Sequence, residues 1–211
     1  LSGSTKNGIG YREVNWSLPR KRQLVLGRQN MYDGTYDRLP SMSWTFVPLT
    51  EYHGGGAEAT IEPLDTHLNA YKAHMVQNYG MGVQACYRGP RLYDTPKTKE
   101  TVIEVVDWYK KYRNILNAPI FHLKRANGRE IDGIMHVDPE LNEKGMALFF
   151  NPTNETLTQT IKLPLYYTGH TDTVSIQEKE GKRTDYKLAR DYSVELKVEI
   201  PANDSTWFVI Y

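Results

Sequence analysis

The chain has 211 residues, with Lys+Arg 26 against Asp+Glu 25 and a formal net charge of +1, so no general field draws it to nucleic acid or an anionic membrane. Hydrophobic residues at 39% and charged residues at 24% suit a globular protein and argue against disorder. One cysteine, Cys86, excludes an internal disulfide and any multi-cysteine metal site, and no apolar run approaches the ~20 residues of a membrane helix.

Leu1 to Gly10 is rich in Gly and Ser and reads as a loop. It has neither an initiator Met nor the charged and apolar regions of a signal peptide, so it reads as the start of a fragment. Ser17 as N-cap and Pro19 just inside predict a first helix, with Leu24, Arg28 and Met31 at helical spacing. Residues 42–47 (MSWTFV) favour a strand, closed by Pro48. A second helix is expected from about Pro63, with Leu64, Leu68, Tyr71 and Met75 on its apolar face and Gly80 as its stop. Residues 81–87 (MGVQACY) then predict a buried strand.

The third helix has the clearest signal. Thr95 caps it, Pro96 takes the first helical position, and Val102, Val106, Tyr109 and Arg113 form a stripe beside Val105, Tyr112 and Leu116. Alternating strands and helices imply parallel β/α units.

After Pro119 the period changes. Short strands are expected at Asp132 to Val137 and at Met146 to Phe150, the latter ended by Asn151-Pro152-Thr153-Asn154. Leu157, Ile161, Leu163 and Leu165 share one face of the next strand. Val194, Leu196, Val198 and Ile200 alternate strictly with polar residues, as in a half-exposed antiparallel strand, and Trp207 to Tyr211 closes the chain as a buried strand. The fold class is therefore α/β plus all-β, with a boundary near residue 118: a β/α part over 1–118 and an antiparallel β-sandwich over 119–211.

Three loops carry possible chemistry. Glu51 follows the first strand in Leu49-Thr50-Glu51-Tyr52-His53-Gly54-Gly55-Gly56. Carboxylates just past the end of a parallel strand are often catalytic, and the glycines permit close ligand approach, although the same run also makes a plain Gly-rich turn. Arg88, Arg91 and Tyr93 follow the second strand and could bond to and stack on a substrate; Arg88 could equally pair with a carboxylate. Asp33 lies in Asp33-Gly34-Thr35-Tyr36-Asp37-Arg38, either a helix-exit turn or an acid projecting into a cleft. Tyr is the commonest aromatic, at 15 residues, and its apolar ring with a polar tip suits sugar stacking as well as protein interfaces. The His residues show no metal-ligand spacing, so no metal and no cofactor are expected. Cys86 reads as core.

Residues 15–20 (NWSLPR), 41–56 (SMSWTFVPLTEYHGGG) and 83–94 (VQACYRGPRLYD) resemble the C-terminal part of large glycoside hydrolases of Bacteroidetes-type polysaccharide degraders. Val106 to Arg113 is similar to the last barrel helix of such enzymes, and Asn151-Pro152-Thr153 and Leu163 to Gly169 resemble their C-terminal domain. The resemblance implies a partial (β/α)8 barrel of the alpha-galactosidase-like kind followed by an antiparallel β-sandwich. It implies a carbohydrate substrate, hydrolysis by a carboxylate pair incomplete in this chain, and a periplasmic or secreted setting. The catalytic candidates are Glu51, by position, and Asp33, whose segment loosely echoes an acid/base segment of the family. Tyr52, His53, Arg88, Arg91, Tyr93 and Trp44 are the candidate substrate-binding residues. A non-catalytic carbohydrate-binding or structural module is the alternative, and a nucleotide-binding domain ranks last because no phosphate loop is present. Half a barrel leaves sheet edges open, so an upstream part of the same protein or an oligomeric partner is expected to cover them; no nucleic acid or membrane partner is expected.

Overall fold

A computed structural model of the protein describes residues 16–36, 43–51 and 55–211. The chain divides into two compact units, one ending at Leu116 and the other spanning Asn117–Tyr211.

The first unit runs α1 (Arg20–Gly34), β1 (Trp44–Pro48), a 3-10 turn (Gly56–Ala59), α2 (Leu68–Gly80), β2 (Gln84–Arg88) and α3 (Pro96–Leu116). β1 and β2 pair in parallel, with Trp44 opposite Gln84 and Pro48 opposite Arg88. Side chains alternate across a pleated strand, so Thr45, Val47, Ala85 and Tyr87 share one face. On that face Val47, Ala85 and Tyr87 join a core with Leu64, Tyr71 and Met75, and with Val102 and Val105. The α3 stripe behaves as its spacing predicts: Val102 is buried, and Val106 and Tyr109 pack half-buried on the same core. Tyr109 stacks on Tyr79 at 4.3 Å, joining α3 to α2. Among the described residues the parallel sheet has two strands and closes into no barrel.

The helix starts show what local pattern can and cannot predict. Thr95 caps α3 as expected, its Oγ1 accepting from the Thr98 N–H at 3.2 Å. Ser17 does not cap α1. The helix begins after Pro19, and the Glu58 carboxylate accepts the Arg20 N–H at 2.9 Å from 38 residues away. α2 begins at Leu68, later than Pro63, which lies in a turn beyond the cis Glu62–Pro63 bond. Residues 81–83 belong to a turn, and the strand is Gln84–Arg88.

The second unit is antiparallel throughout. β3 (Ile120–Lys124), β4 (Asp132–Val137), β5 (Gly145–Phe150), β7 (Thr173–Glu178), β8 (Arg183–Lys187) and β10 (Ser205–Ile210) form a six-stranded sheet in the order β3-β4-β5-β10-β7-β8. β6 (Leu157–Pro164) and β9 (Ser193–Ile200) form a second sheet. Met135, Ala147, Phe149, Phe208 and Ile210 from the first sheet and Leu163, Val194, Leu196, Val198 and Ile200 from the second share one core. Leu165, expected on the strand with Leu163, lies just past its end but is buried in that core. Asn151 ties the turn after β5. Its amide donates to the carbonyls of Glu155, Ile200 and Pro201 at 2.7–3.0 Å, and its Oδ1 accepts from Thr153. No helix among the described residues is long and apolar enough to cross a membrane.

Truncating an inward residue of β9 should cost far more than truncating its outward neighbour. Leu196→Ala, at a position 1% exposed, is expected to lose about 2–5 kcal/mol. Lys197→Ala should stay within about 0.5 kcal/mol. Urea unfolding of both variants checks the contrast.

His74 on α2 adds a pH dependence. It is buried, its Nε2 has no hydrogen-bond partner, and burial, with the charge of Arg20 behind it, lowers its pKa from 6.5 to about 4. The unfolded chain then binds the extra proton, so stability falls as pH drops from about 6.5 toward 4 and levels off below. At about 1.4 kcal/mol per pH unit the loss reaches about 3 kcal/mol. Thermal unfolding across this window should show a shallower slope in His74→Leu than in the wild type.

Candidate functional site

The two strand-end loops leave the same end of the parallel sheet. Pro48 lies opposite Arg88, the Leu49 N–H donates to the Arg88 carbonyl at 2.8 Å, and neighbouring strands sit ~4.8 Å apart. Gly89 permits this approach: a Cβ there would fall 2.4 Å from the Leu49 Cβ and 2.6 Å from its carbonyl oxygen. Ligands of open α/β sheets bind beyond the carboxyl ends of the strands, the end these loops occupy.

Glu51 is exposed here, and its Oε1 accepts the Gly56 N–H at 3.2 Å. Tyr52 and His53 lie outside the described residues. Trp44, Phe46, Cys86 and Arg88 share the sheet face opposite the helical core, as the register requires. Trp44 meets Phe46 edge-on at 5.0 Å, and the Arg88 guanidinium lies 5.1 Å from the Phe46 ring centre. These groups make a half-buried aromatic and cationic wall. Burial pushes the Cys86 thiol up despite the nearby Arg88, so it is a poor nucleophile.

The second loop is held by other partners. Arg91 makes two bonds to the Glu62 carboxylate, at 2.9 and 2.8 Å. Tyr93 is 46% exposed, with the Lys99 ammonium 5.6 Å from its ring centre. The Tyr71 hydroxyl donates to the Leu92 carbonyl at 2.8 Å. Asp94 accepts from Thr98 Oγ1 at 3.0 Å and from the Asp65 N–H at 3.3 Å, joining the loop to the start of α3.

Asp33 does not join this group. The start of α1 is bound to the segment after β1: Arg20 pairs with Glu58, and its guanidinium also donates to the carbonyls of Thr60 and Ala57. Asp33 lies about 20 Å further along the helix at ~1.5 Å per residue. It therefore lies toward the far end of α1 from the Arg20–Glu58 junction.

Sequence reading missed Arg20, Gln23, Glu58 and Glu62. The buried Gln23 amide donates to the carbonyls of Trp16, Leu18 and Glu58 at 2.6–3.0 Å. The Arg20–Glu58, Gln23–Glu58 and Arg91–Glu62 pairings span 38, 35 and 29 residues, and no local spacing announces them. Among the described residues no group of His, Cys, Asp or Glu is arranged to hold a metal ion.

No protein-family model and no curated protein matches the chain. Solved structures do. A GH27 β-L-arabinopyranosidase of Geobacillus stearothermophilus superposes on 92% of this chain with TM-score 0.55 at 12% identity. A GH36 alpha-galactosidase of the same species matches 87% at TM-score 0.55 and 15% identity. The alpha-galactosidase of Lactobacillus brevis matches 88% at TM-score 0.54 and 14% identity. This chain spans 43% of the first of these proteins and 24% of each of the other two. The fold is glycoside hydrolase-like.

Gly89→Ala should drive the second loop off Leu49. An expected loss of about 1–3 kcal/mol, typical of overpacking, would appear as a lower urea midpoint.

Proposed function

We propose that this chain is the C-terminal part of a glycoside hydrolase of the alpha-galactosidase-like kind. Its first unit supplies late β/α elements of a (β/α)8 barrel, and its second unit is the β-sandwich that follows. The observation that carries this reading is the joint likeness of both units, in chain order, to GH27 and GH36 enzymes over 92% and 87% of the chain. The parallel strand ends support it by bringing the carboxylate loop after β1 and the arginine loop after β2 to one end of the sheet.

In this reading the substrate is a carbohydrate, met outside the cytoplasm. Glu51 acts as an acid, base or nucleophile toward the glycosidic bond, and Tyr52 and His53 flank it. Trp44 and Tyr93 stack on sugar faces and Arg88 hydrogen-bonds hydroxyls. Arg91, already bonded to Glu62, shapes the loop. Two carboxylates are needed for such chemistry, and the second comes from elsewhere in the whole protein.

Glu51→Gln keeps the side-chain shape and removes the charge. In the full-length natural protein it should cut turnover of aryl glycosides about a hundredfold or more, within the ~10²–10⁴ typical of general acid–base groups. Turnover near the wild-type level would overturn the catalytic role of Glu51.

A further inference from the structure

The second unit exposes three large hydrophobic side chains, and all are tyrosines at one place: Tyr166, Tyr167 and Tyr192, at 63%, 60% and 37% exposure. Tyr166 meets Tyr167 edge-on at 5.3 Å and Tyr192 edge-on at 5.4 Å. Tyr167 in turn lies 5.7 Å from Phe121 on β3. None of the three hydroxyls hydrogen-bonds to a described residue.

The backbone beneath is firmly held. Tyr166 and Tyr167 sit on a 3-10 turn that ends at Gly169, with φ +79. The buried Thr168 hydroxyl bonds the Leu165 carbonyl and His170 Nδ1, both at 2.7 Å. The Leu165 N–H donates to the Tyr192 carbonyl at 2.8 Å, linking the two parts of the cluster. Tyr192 itself has φ 59, a conformation that costs a bulky residue energy and that Gly or Asn would adopt more easily. The backbone gives no reason for a tyrosine there, so the reason lies in the ring.

A cavity of 280 Å³ adjoins the cluster through Phe121 and Pro164. Phe149 and Ile161 give it an apolar lining, and Asp132 and Gln159 add polar groups. The lysines on its rim are neutralised in pairs, Lys124 with Glu130 and Lys162 with Asp191. The volume lies just below the usual range of ligand pockets, and the mix of apolar groups with His122, Asp132 and Gln159 suits a small, hydroxyl-rich unit.

We propose that Tyr166, Tyr167 and Tyr192 form a stacking platform for a neutral glycan chain, with the adjoining cavity seating one sugar residue. The inference rests on the proposed carbohydrate-active role and adds a holding site on the second unit. Tyrosine rings offer apolar faces to the C–H face of a sugar, and their open hydroxyls meet its polar rim. A protein partner fits less well. A stable interface needs ~800 Å² from each side, whereas three part-exposed tyrosines of ~150–250 Å² each fall well short, with no exposed aliphatic residue around them to extend the patch.

The test is native electrophoresis of the full chain in gels containing galactomannan, xyloglucan or dextran, against gels without polysaccharide. The wild type should be retarded by at least one of the three. Tyr166→Ala/Tyr192→Ala should weaken that retardation roughly tenfold or more, while Tyr166→Phe/Tyr192→Phe keeps most of it. All three tyrosines are at the surface, so unchanged thermal unfolding verifies that the variants are folded. Absence of retardation in all three polysaccharides, or equal retardation of the wild type and the alanine variant, overturns the platform. So does sedimentation showing that the alanine variant dissociates an oligomer while its retardation is unchanged. Hydrolysis of an aryl α-galactoside by the full-length natural protein, which supplies the second carboxylate, is read in parallel. Tyrosine-dependent retardation without hydrolysis upholds the platform and removes the enzymatic reading. Hydrolysis without tyrosine-dependent retardation does the reverse.

Discussion

The contact of Gly89 with Leu49 sets the frame for the first unit's candidate site. Parallel pairing continues one residue past β1, through the Leu49 N–H and the Arg88 carbonyl, and it can do so because position 89 has no Cβ. Leu49 is 1% exposed, so the second loop is laid against a buried residue. The Tyr71 hydroxyl then catches the Leu92 carbonyl, and Arg91 reaches back to Glu62 beside the β1-to-α2 connection. Two loops separated by about forty residues in sequence are thereby held in one frame, as a composite ligand site requires.

A second constraint acts on the connection after β1. The Arg20 side chain is 15% exposed, and its guanidinium gathers Glu58 and the carbonyls of Ala57 and Thr60, while Glu58 also accepts the Arg20 N–H. Charge-assisted bonds of this kind are the stronger ones, and here they do the work of an N-cap. Gln23 seals the same junction from below. The consequence reaches the far end of α1. Because the helix start is bound to the carboxyl-end connection, its last turn points away, and Asp33 leaves with it.

Where one face of an element is buried, the sequence shows it. The α3 stripe and its Thr95–Pro96 start, the strict alternation of β9 and the Asn151 turn could all be read before any coordinates, because burial and capping impose short periods. β8 could not be read: Arg183–Lys187 is an edge strand whose residues are almost all exposed, so no alternation marks it. β7 offers only Val174 and Ile176 between polar neighbours, and β3 is half-buried throughout. The site divides in the same way. The place of Glu51 and Arg88 at strand ends could be read because strand ends are local features. The Glu58 cap and the Arg91–Glu62 pair were not, since they join residues 38 and 29 positions apart. For Asp33 a short motif carries no information about which end of a helix faces the strand termini.

The carboxylates near the strand ends differ in how far the protein already occupies them. Glu58 is bound to Arg20 through both oxygens, and Glu62 to Arg91 through both. Asp94 accepts from a hydroxyl with one oxygen and from a backbone N–H with the other. Each has the connections of a group that shapes loops. Glu51 differs: among the described residues it receives a single exposed N–H, on one oxygen, and pairs with no cation. Its other oxygen accepts from no described residue. Under the proposed reading this assigns the labour within the chain. Glu51 is the carboxylate proposed for proton transfer, and the ion-paired acids hold the loops in place around it. A glycosidic bond also needs an acid on its other side, about 5–9.5 Å away. Neither Glu58 nor Glu62 can take that part without giving up the arginine that positions its loop. The partner of Glu51 must therefore come from outside this ion-paired set.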